Sequence, residues 1–174
     1  MENRLNQIFS NVNRWLAFAE AKNGILLSLN GATIFGIVSN LKDASRPAYL
    51  SLTWVMIPFL IVTTMLLLIS FLPITDLRFR KASRPTDHKT STLNLTFYGD
   101  IRRLDPRTYL TSLYQSVTGE AKQDLPDFEL QMSHQITNNA QICYVKFQWF
   151  KISCFLDMIG MLAWIVAFLV AHAV

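Results

Sequence analysis

The stretch WVMIPFLIVTTMLLLISFLPI, residues 54 to 74, decides the fold class. It carries no formal charge. With its flanks, Pro47 to Thr75, it exceeds the run of about 20 apolar residues that a helix needs to cross a bilayer core. Two further runs have the same character. Asn23 to Leu41 has no charged residue, and Ile152 to Val174 is apolar apart from Asp157 and His172. The apolar residues, 51% of a chain of 174, are thus gathered into blocks. They predict an all-α integral membrane protein with three transmembrane helices, at 23–41, 50–74 and 152–174. A cleavable secretory signal does not fit the first run, because amphipathic sequence over 1–22 precedes it and SNLKDASRP is a poor cleavage site.

The basic residues set the orientation. Eleven of the 16 lie between Asp76 and Lys151, two lie in the Lys42 to Tyr49 loop, and none follows Lys151. The positive-inside rule places the N-terminus and the 75–151 region in the cytosol, with the short loop and the C-terminus outside.

Ahead of the first span, Leu5, Ile8, Phe9, Val12, Trp15, Leu16 and Ala19 follow a 3.6-residue period, opposite Asn6, Asn13 and Arg14. Residues 1–22 therefore form an amphipathic N-terminal helix. It either lies on the membrane with Trp15 at headgroup depth, or runs straight into span one and packs on partner helices, since no Pro intervenes. The join holds Glu20, Lys22 and Asn23, more than a plain anchor requires. Within the span Gly24, Ser28, Ala32 and Gly36 repeat every fourth residue, a strip that lets helices approach closely. It suits packing either on span two of the same chain or between subunits. Asn23 and Asn30, one heptad apart, are placed to hydrogen-bond across helices. Asp157 lies some two turns into span three, where a carboxylate is costly and faces a bundle interior or a wet path. It would either be locked to Lys22 or line a pore.

The 75–151 region opens with a basic linker, DLRFRKASRPTDHKTS. The alternation in LNLTFYGDI suits one short strand. Asp105 as N-cap, Pro106 in the first turn and Gly119 as stop frame a helix with Tyr109, Leu110, Leu113, Tyr114 and Val117 on one face. A second helix starts near Asp124 and meets no Pro or Gly after Pro126 until Gly160, so the cytosolic helical region is continuous with the last span, over about 70 Å. Leu125, Phe128, Met132, Ile136, Ala140, Cys143, Phe147, Phe150 and Cys154 stripe that helix. Its other side, QMSHQITNNAQI at 131 to 142, is polar without a formal charge. Gln135, Asn138, Asn139 and Gln141 suit hydrogen bonds to another helix, a ligand or a water-filled vestibule, or a solvated face.

The sequence does not indicate an enzyme, a metal or a cofactor. His88, His134 and His172 share no metal-ligand spacing, the two cysteines are isolated, and there is neither a Gly-rich phosphate loop nor a serine elbow. One basic and aromatic constellation stands out: FYGDIRRLDPRTYL, with Phe97, Tyr98, Arg102, Arg103, Arg107 and Tyr109. Arg grips phosphate bidentately and aromatic rings stack on bases, so the set suits a nucleotide or single-stranded nucleic acid. It suits anionic lipid equally.

Two stretches resemble the Pycsar-type transmembrane effectors of bacterial anti-phage defence. WLAFAEAKNGILLSLNGA, residues 15 to 32, is similar to that family's acid, Ala, Lys and small-residue span. FYGDIRRLDPRTYL is similar to its aromatic-Gly-Asp-Ile motif and acidic-capped helix. The resemblance implies an effector that damages the inner membrane when infection changes a nucleotide signal, made by a companion cyclase or nucleotidyltransferase. A membrane effector of a Hailong system, held closed by an oligonucleotide, is a related arrangement.

Three spans cannot enclose a useful pore, so a conducting form requires a homo-oligomer, for which a tetramer is expected. The ligand set is Arg102, Arg103, Arg107, Tyr98, Tyr109, Asn138, Asn139 and Gln141; the intramembrane polar set is Glu20, Lys22, Asn23, Asn30 and Asp157. The alternative is a non-conducting membrane adaptor that recruits a cytosolic partner through residues 76–151.

Overall fold

The computed structural model describes residues 1–40, 47–72, 93–122 and 124–173. The basic linker up to Thr92, His88, the loop after Asn40 up to Arg46 and the last residues assigned to span two lie outside them. Five helices form: α1 (Glu2–Asn40), α2 (Pro47–Phe71), α3 (Tyr98–Ile101), α4 (Pro106–Thr118) and α5 (Asp127–Ala173). α1, α2 and α5 each contain a window long and apolar enough to cross a membrane. The chain is therefore an all-helical membrane protein, with no strand among the described residues.

Contacts divide it into two compact units. Unit 1 comprises Met1–Ala19 and Pro73–Lys146; unit 2 comprises Glu20–Leu72 and Phe147–Val174. α1 and α5 contribute to both. α1 is a single helix, in agreement with the uninterrupted reading of its sequence, and no Pro or capping residue stops it at the Glu20–Asn23 join.

Unit 1 has its own hydrophobic core. Leu5, Ile8 and Val12 of α1 pack with Ile101 of α3, Tyr109, Leu110 and Leu113 of α4, and Ile136 and Ala140 of α5. The apolar stripe of the N-terminal helix is thus used inside the chain, each such side chain contributing about 1.5–3 kcal/mol by leaving water. α4 begins and ends as its sequence predicts. The Asp105 carboxylate accepts from the Arg107 and Thr108 amides at 3.2 and 3.1 Å, Pro106 follows it, and Gly119 closes the helix at φ 78°. Burial pushes the Asp105 carboxyl up, but the hydrogen bonds from Thr108 and Arg107 outweigh it and hold the group below the ordinary Asp value.

One expected element does not form. LNLTFYGDI is a turn leading into α3 rather than a strand. Asn94 Oδ1 accepts from the Thr96 amide and hydroxyl at 3.0 and 2.7 Å, and Asp100 Oδ2 accepts from the Asn94 amide at 3.1 Å. These local bonds outcompete an extended ladder. The long helix starts at Asp127, directly after the Asp124-Leu-Pro stretch, because the residue before Pro126 is steered away from helical geometry.

In unit 2 the three apolar helices pack tightly. A Cβ built on Gly160 of α5 would stand 2.9 Å from Phe59 Cβ and 3.0 Å from Phe59 Cγ on α2. Only glycine permits that approach, because the obstructing atoms lie at the root of the Phe59 side chain and cannot swing away. Leu60 and Leu67 of α2 are buried at the same interface level as the polar residues described next.

Candidate functional site

Two constellations, one in each unit, collect the residues singled out in the sequence.

In unit 2 the polar residues of α1 have partners on α2. Asn23 Nδ2 donates to Ser70 Oγ at 2.7 Å, and Asn30 Nδ2 donates to Thr63 Oγ1 at 2.9 Å. Each pair is one heptad from the next on both antiparallel helices, and all four residues are buried. Thr63 then extends the chain of bonds to α5: its hydroxyl has Asp157 Oδ1 at 2.8 Å, the shorter of its two acceptors. Asn30, Thr63 and Asp157 therefore link all three spans. Asp157 Oδ2 and the hydroxyl of Ser153, one turn earlier on α5, are buried without a hydrogen-bond partner among the described residues.

The Lys22 to Asp157 lock considered from the sequence is not what forms. Lys22 Nζ lies 5.8 and 5.3 Å from the ring centroids of Phe147 and Phe150 on α5. Asp157 is two turns farther along, about 10 Å of helix beyond Phe150. Glu20 is exposed. Of the small-residue strip, Ser28 and Ala32 are exposed, and a Cβ at Gly36 would meet nothing within 4 Å. Gly24 alone comes near α2, where its Cβ would reach Phe71 Cζ at 3.9 Å.

In unit 1 the basic and aromatic residues separate into different roles. Arg102 is half-buried, with its guanidinium 3.4 Å from the centroid of Tyr144 on α5, so it ties the α3–α4 turn to the long helix. Tyr109 is entirely buried, and its hydroxyl donates to the Leu95 carbonyl at 3.2 Å. Burial pushes its phenol up. Its ring is a core element, not a stacking platform. Arg103 and Arg107 are exposed. Arg107 lines an open groove of about 420 Å³ with Thr111, Ala121, Lys122 and Leu125. Lys122 lies 5.1 Å over the Tyr114 ring, and the Tyr114 hydroxyl donates to Glu129 at the start of α5. That hydrogen bond, with burial and the Glu129 charge, pushes the Tyr114 phenol up to about 12. The groove thus presents two cations, the Thr111 hydroxyl and the apolar Ala121 and Leu125.

The polar stretch at 131 to 142 is also divided. Asn139 Nδ2 donates to Asn13 Oδ1 of α1 at 2.8 Å, a helix-to-helix bond. Asn138 is exposed and Gln141 half-buried.

Sequence reasoning missed Thr63, Ser70, Ser153 and Lys122. Thr63 and Ser70 were visible as the heptad-spaced polar residues of an apolar run, matching Asn23 and Asn30. Lys122 gave no signal, because a loop lysine resembles any solvated charge.

Comparison with curated proteins and with solved structures gives no match. The Pycsar effector protein domain matches residues 4–171. That match begins in the first turns of α1 and ends near the end of α5, taking in both units, so the chain belongs to the Pycsar effector family and is a transmembrane effector of bacterial anti-phage defence.

Proposed function

We propose that the chain assembles into a homo-oligomeric, membrane-permeabilising pore, a tetramer in the simplest case, switched by a nucleotide or oligonucleotide signal held by unit 1 on the cytosolic side. The observation that carries this reading is Asp157. An ionisable group at the centre of a span costs about 2.5–3.5 kcal/mol, so one is retained where it serves a wet path or a switch. Here Thr63 satisfies one of its oxygens and the other has no described partner. Three helices cannot surround a useful water path, so several chains must bring their carboxylates together. In the resting form Thr63 holds the carboxylate within its own chain; in the open form it turns to the shared path.

The exposed Ser28 and Ala32 of α1, one turn apart on the small-residue strip that continues to Gly36, supply the subunit contact. Ala32→Leu and Gly36→Leu are expected to leave the protein inserted and helical but to shift it to smaller species in detergent, by size exclusion with light scattering. Unchanged assembly would remove this face from the interface.

The signal is made by a companion cyclase or nucleotidyltransferase, in line with the family to which the chain belongs. Its phosphate sits in the groove between Arg107 and Lys122, with Arg103 nearby in sequence and the Thr111 hydroxyl as a donor. Arg107→Ala or Lys122→Ala should each weaken nucleotide binding about ten- to hundredfold, the worth of a hydrogen bond to a charged group at about 1.5–3 kcal/mol. The pair changed to Glu should abolish it. Arg102→Ala should instead lower the melting temperature through the lost Tyr144 contact, with little effect on affinity. Calorimetric titration of the detergent-solubilised full chain decides this; full binding by the double Glu variant would move the site, with the exposed Asn138 region next in line.

α1 and α5 supply residues to both units, which gives a ligand-driven shift in the first a route to the polar residues of the second.

A further inference from the structure

Unit 1 carries an aromatic cluster that takes no part in the Arg107–Lys122 groove. Trp15 and Phe18 of α1 have ring centroids 6.3 Å apart, Trp15 lies 5.8 Å from Tyr98, and Tyr98 lies 4.6 Å from Phe97. Three of these four rings remain open: Trp15 is 38% exposed, Phe18 47% and Phe97 40%. Phe97 is folded back against its own turn, since a Cβ on Gly99 would fall 2.5 Å from Phe97 Cε1. The motif's glycine thus lets the ring lie where it does, beside Tyr98.

Position along α1 identifies what such a surface meets. Phe18 stands five residues before Asn23, where the uncharged run begins, and Trp15 one turn earlier, all on one unbroken helix. At about 1.5 Å per residue both rings fall within roughly 12 Å of the apolar run, the depth of headgroups. Amphipathic rings collect at that level in membrane proteins. Tyr98 is in contact with Trp15, and Phe97 with Tyr98. Arg14, adjacent to Trp15, and Arg103 are exposed cations suited to anionic headgroups.

We propose that Trp15, Phe18, Tyr98 and Phe97 form a lipid-interface anchor that pins the α3 turn to the bilayer surface, so that the aromatic-Gly-Asp-Ile motif docks on lipid rather than on a nucleobase. This inference stands apart from the assignment of phosphate to the Arg107 groove. A ligand-induced shift of the α3–α4 region would then be felt as withdrawal from, or pressure on, the leaflet.

The test uses the full chain in phosphatidylethanolamine–phosphatidylglycerol vesicles. Trp54, Trp149 and Trp164 are replaced by Phe, leaving Trp15 as reporter in one variant. In a second variant Trp15→Phe and Phe97→Trp move the reporter into the motif. Both are checked for helicity by circular dichroism. Emission from each is expected to be quenched more by lipids brominated near the headgroup than by lipids brominated near the tail end, and little by aqueous iodide. Efficient iodide quenching without bromolipid quenching of the Trp15 reporter would overturn the anchor, and that variant keeps the native residue should Phe97→Trp misfold. Quenching of the Phe97→Trp reporter by added nucleotide, with no response to bromolipid, would give the motif to the base instead.

Discussion

Thr63→Val is expected to arrest growth with no signal present, whereas Asp157→Asn is expected to leave the chain inserted, silent and unresponsive. The two substitutions act on opposite ends of one hydrogen bond. Valine keeps the volume of Thr63 but removes the hydroxyl that receives Asn30 and donates to Asp157. It strands an amide donor and a carboxyl oxygen inside the span unit. Interhelical hydrogen bonds in membranes average about 0.6 kcal/mol and reach about 1.7 kcal/mol, and a stranded buried group costs about 1–3 kcal/mol. A loss of that size shifts a two-state gate about tenfold or more toward the form in which the carboxylate finds water. Asparagine at 157 keeps an oxygen that accepts from Thr63, so the resting form survives. It removes the charge that would draw cations, so the signal no longer permeabilises the membrane. Growth curves with a potential-sensitive dye, with and without the companion enzyme, read both outcomes. Silence of Thr63→Val, or full activity of Asp157→Asn, would break the link between this bond and the gate.

Gly160→Leu is expected to prevent accumulation of the folded protein, and even Gly160→Ala is expected to lower its thermal stability in detergent. The new Cβ would stand 2.9 Å from Phe59 Cβ, an atom fixed to the α2 backbone. Relief requires the helices themselves to separate, and overpacking of this kind costs about 1–3 kcal/mol. Phe59→Ala should fail to rescue Gly160→Ala, because alanine retains the offending Cβ. Gly31→Ala is the control, since a Cβ there meets nothing within 4 Å. Equal melting temperatures for Gly160→Ala and Gly31→Ala would show that α2 and α5 are not so close.

Much of this was legible in the sequence because the signals were local. Uncharged runs declare spans, and Asp105, Pro106 and Gly119 declare α4 through bonds within a few residues. Asn23 and Asn30 announced a polar seam by their heptad spacing. Thr63 and Ser70 carry the same spacing, but they become partners of these amides only once α1 and α2 are set antiparallel in one register. Of the two readings of Asp157, a lock to Lys22 or a place on a pore, opposite charge favoured neither over the other, and Lys22 lies over Phe147 and Phe150. The strand over Leu93–Ile101 was lost to the side chains of Asn94 and Asp100, whose bonds close turns. The three arginines of FYGDIRRLDPRTYL read alike in sequence but separate in space, Arg102 onto Tyr144 and Arg107 into the groove with Lys122.

Conduction switched by a nucleotide signal is the central proposal for this chain. The direct measurement is the potential across phosphatidylethanolamine–phosphatidylglycerol vesicles that contain the purified full chain and hold a potassium gradient with valinomycin. A cyclic nucleotide or single-stranded oligonucleotide is then added or withdrawn. The potential is expected to collapse in one of these two conditions and to hold in the other, and to hold in both with Asp157→Asn. A potential that persists in both conditions, in vesicles where calorimetry has established nucleotide binding, would contradict it and leave a non-conducting adaptor as the better description.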